Sequence, residues 1–415
     1  MTLSGVAIAQ ASARAAGGGV WVGQKLQATG GTVSGCAAPE GAGSPSAGRP
    51  RRARPDRHLR RQHRPARRRR PRRRGRHPAG RRLLGGVADE AGGGVFVDGA
   101  TVSGAQLRDN TAPRGGGAAG RGRLERASAS GNQADEGGGV YADGDMALML
   151  GLFSDNVATE AGGGVLVVAG VLDVDYDPGS VERVRFLGNR AEGGWGGGIA
   201  VLGGQLTLAH TDVSQNVAAW GGGVAVRETV PACPGCVTTL TDAAFDANVA
   251  TSDGGGLWTD RPLQVTTARF GDNEADRGGG LWVGAGATFD GVDLLGNTAS
   301  GDGGGVLLSA GELELEAGSV TQNAAGARGA GILAQTGTSV TVTATDLQAN
   351  QAPGSGAIAI AGASLTVAAG TTWGDNSDFD IAVDGEGCLV EALAPSFSCG
   401  GGADPCAPSD VCAPP

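Results

Sequence analysis

Apolar and polar positions alternate along most of this chain in runs of three to five residues, too short for helices and of the right length for strands. The runs are punctuated by one recurring phrase. An apolar residue stands three before an asparagine, a polar turn of four to six residues follows, and three glycines lead into a short apolar run, as in Phe270 to Asn273 and then Gly278-Gly279-Gly280-Leu281-Trp282-Val283. The asparagines are Asn110, Asn132, Asn156, Asn189, Asn216, Asn248, Asn273, Asn297, Asn323, Asn350 and Asn376, spaced 22 to 33 residues apart. A fixed period with the same punctuation marks a repeat architecture, in which a unit cannot bury its apolar face alone and must stack on its neighbours. Val165-Leu166-Val167, Ile199-Ala200-Val201 and Val306-Leu307-Leu308 read as the strand after the glycines, and Leu206-Thr207-Leu208 and Leu313-Glu314-Leu315 as a second strand. A third ends at the apolar residue before the asparagine. The expected fold is all-β, a parallel β-helix with coils of about 22–33 residues stacked about 4.8 Å apart.

Each position in the period then has a physical role. The asparagines, one per coil, are placed to hydrogen-bond side chain to side chain as an interior ladder. The glycines permit backbone conformations closed to other residues and let the chain turn without a Cβ clash. Period-two alternation buries the outer residues of each post-glycine triplet and turns the middle one outward: Trp21, Phe96, Tyr141, Leu166, Ala200, Ala225, Trp258, Trp282 and Leu307. Trp258 and Trp282 fall at equivalent places in successive coils, so they are expected to stack about 5 Å apart as an exposed aromatic stripe.

Phe153-Ser154-Asp155-Asn156, Phe186-Leu187-Gly188-Asn189, Phe245-Asp246-Ala247-Asn248 and Phe270 to Asn273 resemble the FxxN half of the polymorphic outer membrane protein repeat, and Gly-Gly-Gly-Val or Gly-Gly-Gly-Leu resembles its GGA-[ILV] half. The likeness spans at least Leu107 to Asn350. It implies a right-handed parallel β-helix displayed outside the cell and used in adhesion. Nothing in the sequence is similar to that family's C-terminal autotransporter barrel.

Charge is distributed unevenly. Residues 49–82 carry 18 of the 33 basic residues and one acid, Asp56. The rest carries 41 acids against 15 bases, which disfavours nucleic acid as a partner and suits a solvated extracellular surface. The chain divides into N-terminal coils over 1–48, the Arg/Pro-rich segment 49–82, the main β-helix over 83–384, and a Cys/Gly/Pro-rich tail over 385–415. Segment 49–82 reads either as a disordered basic arm or as coils translated out of frame. Codons permitted for Gln62-His63-Arg64-Pro65-Ala66 and the four arginines after them, read one base on, spell Asn-Thr-Ala-x-x-Gly-Gly-Gly, the order of Asn110-Thr111-Ala112-Pro113-Arg114-Gly115-Gly116-Gly117. In that reading Cys36 and Gly86 occupy ladder positions, with Gly86 directly below Asn110.

Cys233 and Cys236, in Pro-Ala-Cys-Pro-Gly-Cys, read first as a disulfide-stapled loop, with a redox pair or half a zinc site as alternatives. Cys388, Cys399, Cys406 and Cys412 read as a stapled tail, and Cys36 as a buried thiol. Two long spacings place loops over Asp173 to Asp177 and over Arg227 to Cys236. Asp173, Asp175 and Asp177 alternate and could gather oxygens for calcium, but Pro178 stands where an EF-hand loop has glycine, so a solvated acidic loop is the main reading. Glu312, Glu314 and Glu316 share one strand face, read as solvent-facing. No other cofactor is implied. The functional expectation is a non-catalytic, surface-displayed or secreted β-helix that contacts an unknown protein or glycan. The alternative is a polysaccharide lyase or hydrolase, with Glu314 as the residue to test. The first ten residues lack a basic n-region and a long apolar h-region, and the chain opens inside a coil, so its natural start is expected upstream. No run of 18 apolar residues is present to span a membrane.

Overall fold

The computed structural model describes residues 2–4, 7–9, 20–22, 25–34, 36, 91–175, 182–229, 233–384, 388–392 and 399–401. The chain winds into a β-solenoid of about 11 turns, with no helix among the described residues. Every strand pairs in parallel with its counterpart one coil away: Val165–Val168 lies between Val140–Ala142 and Ile199–Leu202 in unbroken register. Most strands belong to a single wrapped sheet of 33 strands. Inside it runs one continuous core of Val, Leu, Ile and Phe, with Phe153 stacked on Phe186 at 5.1 Å and Phe245 on Phe270 at 4.5 Å.

The second and third strands of a coil are often one strand bent in the middle, as in Gln205–Ser214, where His210 takes a left-handed conformation with φ 46°. That bend recurs six residues before the asparagine in most coils, at Arg126, Leu150, Asp242, Thr267, Gly291, Ala317 and Ala344. The residue just before the asparagine is left-handed as well, including Asp109, Asp155, Gln215, Ala247 and Asp272. Two such bends flanking a four-residue strand segment turn the chain around the core at the same place in most coils.

The segment between asparagine and glycines, expected as a turn, instead forms a second sheet of eight short parallel strands. Backbone and side chains both favour pairing there. The amide after each asparagine donates to the asparagine carbonyl of the coil below, as Val157 does to Asn132 at 2.9 Å. Two residues after each asparagine from Asn110 to Asn350 stands an alanine, Ala112 through Ala352, and each is buried. A methyl is all that fits where two sheets converge at a corner.

The glycines have separate reasons. The first of each triplet is left-handed, and a Cβ on Gly137 would lie 2.3 Å from the Val140 carbonyl oxygen. The third lies flat on the next coil, and a Cβ on Gly139 would meet the Gly164 oxygen at 2.5 Å and the Asn156 side chain at 3.1 Å.

Coil pairing adds detail at the two ends of the solenoid. Cys388–Ala392 pairs with Ser364–Val367 and Cys399–Gly401 with Ile381–Asp384, so part of the segment read as a tail past 384 is solenoid. At the other end, Lys25–Ser34 pairs directly with Val95–Arg108, and the Cys36 amide donates to Asn110 Oδ1 at 3.1 Å. Cys36, not Gly86, holds the rung below Asn110; Gly86 itself lies outside the described residues.

Candidate functional site

The asparagine ladder is continuous from Asn110 to Asn376. Each asparagine from Asn110 to Asn350 donates its backbone amide and its Nδ2 to the Oδ1 of the next coil, as Asn189 does to Asn216 at 2.9 and 3.0 Å. The second Nδ2 proton goes down to the carbonyl of the apolar residue three before the asparagine below, as Asn189 to Phe153 at 2.8 Å. That contact explains the apolar-x-x-Asn spacing, because the apolar side chain points into the core while its carbonyl serves the ladder. Asn110, Asn132, Asn156, Asn189, Asn216, Asn248, Asn273, Asn297, Asn323 and Asn350 are all inaccessible to solvent. Cys36 continues the column as a buried thiol.

The aromatic stripe needs correction. Trp258 and Trp282 do stack, with centroids 4.8 Å apart and planes 5° from parallel. Yet Trp258 is buried and Trp282 only half-exposed, and Leu166, Ala200 and Leu307 on the same outward column are fully buried. Alternation fixes which side of a strand a residue faces, not what lies beyond it. What lies beyond is a column built from the residue before each glycine triplet: Arg114, Glu136, Ala161, Trp195, Trp220, Asp253, Arg277, Asp302 and Arg328. Its members complement each other from coil to coil. Arg114 pairs with Glu136 at 2.7 Å, Trp195 stacks on Trp220 at 4.7 Å, Arg277 pairs with Asp253 at 2.8 Å, and Arg328 with Asp302 at 2.9 Å. Trp195 also meets Trp258 edge-on at 4.7 Å, and the Arg227 guanidinium lies 4.7 Å over its ring.

Cys233 and Cys236 are joined by a disulfide. Beneath this loop Arg261 is buried and donates to the Cys233 carbonyl at 2.7 Å. Asp173 and Asp175 share the outer face of Val171–Asp175, whereas Asp177 lies outside the described residues. Burial and the neighbouring Asp175 push the Asp173 carboxyl above its ordinary range. No group of three potential metal ligands occurs among the described residues. Glu312, Glu314 and Glu316 are exposed on one face, and Glu314 and Glu316 border a shallow groove with Asp290, Thr341 and Thr343.

The densest chemistry lies at the bend six residues before the asparagine, which was not singled out from sequence. Arg183 lies along the solenoid there. It pairs with Asp212 at 2.5 Å and with both carboxylate oxygens of Asp242 at 3.1 Å, and donates to the Thr211 carbonyl at 3.3 Å. His210 Nδ1 bonds the same Asp242 carboxylate, and Arg269 pairs with Asp246. Burial opposes ionisation of Asp242, but hydrogen bonds from His210 and Arg183 outweigh it and hold the carboxyl below its ordinary range. Two adjoining grooves meet at Arg183 and Asp212. One, of about 530 Å³, is bordered by Arg126, Ser128, Glu182 and Arg185; the other, of about 330 Å³, by Asp242, Thr267, Arg269 and Asp293. Together they form a trough crossing the coils. The signal was the phase: Arg126, Arg183, His210 and Asp242 each stand six before an asparagine, so side chains far apart in sequence fall into one column.

No helix of the described residues is long and apolar enough to cross a membrane. No family model, curated protein or solved structure matches the chain.

Proposed function

We propose that the chain is a non-catalytic contact solenoid, surface-displayed or secreted and adhesin-like, and kin to the polymorphic outer membrane protein repeats. The observation that carries the reading is the uninterrupted ladder from Cys36 to Asn376. Such a frame holds outer side chains at fixed intervals along the axis, which suits extended recognition of a repeating partner better than a single small-molecule site. The test is binding of the folded chain to a glycan array and to host-cell surfaces, compared with a ladder variant that disrupts the frame. Binding by the folded chain alone supports the reading, and no binding to any surface or glycan removes it.

A second reading, a polysaccharide lyase or hydrolase, draws its support from the trough, where His210 and Asp242 form a hydrogen-bonded pair beside Asp212. Turnover of acidic or neutral polysaccharides by purified protein decides for it. Loss on Asp242→Asn would locate the chemistry in the trough, and loss on Glu314→Gln would locate it on the strand face.

A further inference from the structure

We propose that Cys233 and Cys236 form a redox-active pair that exchanges two electrons with a dithiol, with Arg261 beneath them holding the reduced form as a thiolate. The proposal goes beyond the contact reading and does not depend on it.

The disulfide does little as a staple. It joins residues three apart, so it ties no coil to another. Closing so short a loop removes little freedom from the unfolded chain. The turn is also made without it. Pro234 and Gly235 form the centre of a type II turn, in which Gly235 has φ 82° and the Cys236 amide donates to the Cys233 carbonyl at 3.2 Å. A turn that persists on reduction keeps the two thiols side by side, so the pair opens and closes reversibly.

The surroundings suit exchange. Pro234 and Gly235 are exposed and Cys233 is half-buried, while Cys236 is buried, so an incoming thiolate reaches the Cys233 sulfur first. Beneath them the Arg261 side chain is only 5% exposed. Its Nη1 donates to the Cys233 carbonyl at 2.7 Å, but Nε and Nη2, both buried, have no hydrogen-bond partner among the described residues. Unanswered buried donors are costly in the oxidised state, and a thiolate at Cys233 supplies the acceptor and the negative charge they lack. A cation held at a cysteine lowers the thiol pKa and makes it reactive.

The other charged groups facing the loop are Glu228, Asp260 and Arg227. Glu228 comes to 3.7 Å from Nη1 and is 44% exposed, Asp260 accepts the Glu228 amide at 2.7 Å, and Arg227 lies over Trp195. Neither acid bonds Nε or Nη2. Their charge opposes a thiolate, so removing the Glu228 charge must act in the opposite sense to removing that of Arg261.

In the exchange a thiolate of the dithiol attacks Cys233 Sγ, forming a mixed disulfide and expelling the Cys236 sulfur, which takes a proton from water. The second thiolate of the dithiol attacks its own bonded sulfur and expels Cys233 as a thiolate beside Arg261. The dithiol leaves as a disulfide, having lost two electrons and two protons, and the cysteines hold the two electrons. A stabilised leaving thiolate speeds the second step and favours the reduced pair.

The test uses the full chain. Reduced protein is alkylated with iodoacetamide across about pH 4 to 10, and the Cys233 peptide is followed by mass spectrometry, which separates it from the other cysteines. In parallel the disulfide is equilibrated in redox buffers of dithiothreitol. We expect the alkylation midpoint to fall at least about one pH unit below the roughly 8.5 of free cysteine. Arg261→Gln should raise that midpoint and lower the equilibrium constant for reduction about tenfold, a shift of about 30 mV. Arg261→Lys should restore most of both, and Glu228→Gln should move both the other way. Dihydrolipoamide and a reduced thioredoxin are compared as small and protein-borne dithiols; exchange with either supports the site, and exchange with neither overturns it. A Cys233 profile like that of free cysteine also overturns it, as does a midpoint indifferent to Arg261 and Glu228. If Arg261→Gln fails to fold, the parent profile and the Glu228→Gln variant decide.

Discussion

A buried asparagine in a solenoid is stable only because each of its polar atoms is answered by a neighbouring coil, so deletion in mid-ladder costs several hydrogen bonds together. Asn216→Ala would strand the Asn189 amide and Nδ2 and the Phe186 carbonyl. We expect a loss of about 3 kcal/mol, read from urea unfolding, with unsatisfied buried groups rather than lost volume as the cause. The glycines allow a sharper comparison. Gly188 and Gly162 have nearly the same φ, 64° and 65°, but a Cβ on Gly188 meets only the Asp155 carboxylate, whereas one on Gly162 lies 2.5 Å from the Val165 oxygen. Gly188→Ala should therefore cost about 1 kcal/mol for the left-handed conformation alone, as Ala247 at the equivalent place shows is tolerable. Gly162→Ala must also displace backbone and should cost clearly more; equal costs would contradict this account. Acid sensitivity follows from Asp242. Its folded carboxyl titrates below the ordinary range, so its contribution is complete above the ordinary carboxylate pKa and is lost as pH falls through the lower folded value. Asp246, raised by burial, acts in the opposite sense and is relieved by protonation. Asp242→Asn should flatten the acid limb of stability measured between neutral pH and about pH 2.

Individual strands were legible from sequence, but what packs on their outer side was not. Alternation identified Val165, Val167, Leu281 and Val283 as core and gave the Trp258–Trp282 stacking, because both depend only on position within one coil. The covering column was missed because each member finds its complement one coil away. Reading the residue before each glycine triplet down the repeats, rather than along the chain, shows the Arg–Glu, Trp–Trp and Asp–Arg pairs. The alanine two after each asparagine was equally visible, and it alone separates a second strand from a turn. The column also ranks substitutions. Trp258→Ala removes a buried ring held between Trp195 and Trp282 and should cost about 3 kcal/mol; Trp282→Ala, half-exposed, should cost less. In the Arg277–Asp253 pair the carboxylate is the buried partner, with side chains 47% and 9% exposed. Arg277→Ala leaves that carboxylate without its bidentate donor and should cost about 2 kcal/mol. Asp253→Ala leaves an arginine that water can reach and should cost less. The reverse order would mean that the column merely covers apolar surface and that its charges are incidental.

For the whole molecule, a solenoid is held by contacts between adjacent coils, so any coil with the right phase can dock on any other. That explains how Cys36 and Asn110, 74 residues apart, occupy successive rungs. Three coil periods of ordinary length fit that separation, yet Cys36 bonds Asn110 directly, so neither of the two rungs expected between them, near position 62 and at Gly86, intervenes. Removing residues 37–86 would join Cys36 to Val87-Ala88-Asp89-Glu90-Ala91-Gly92-Gly93-Gly94, a coil with alanine two after the ladder residue and a glycine triplet in phase. We expect this deletion to fold with an unchanged or higher thermal midpoint, since it shortens the closure between coils already in contact. The frame reading makes the stronger demand. If residues 49–82 are coils translated out of frame, another frame of the gene across this stretch must run without stops. It must also give an asparagine, an alanine two later and a glycine triplet near position 62, one period before Gly86. A chain rebuilt in that frame should place two new rungs between Cys36 and Asn110 and resist proteolysis across the segment, with a midpoint above that of the deletion variant because each added coil buries another set of core residues. Stop codons in both other frames, or a rebuilt chain cut as readily as the present one, would remove the idea and leave the basic segment as genuine protein.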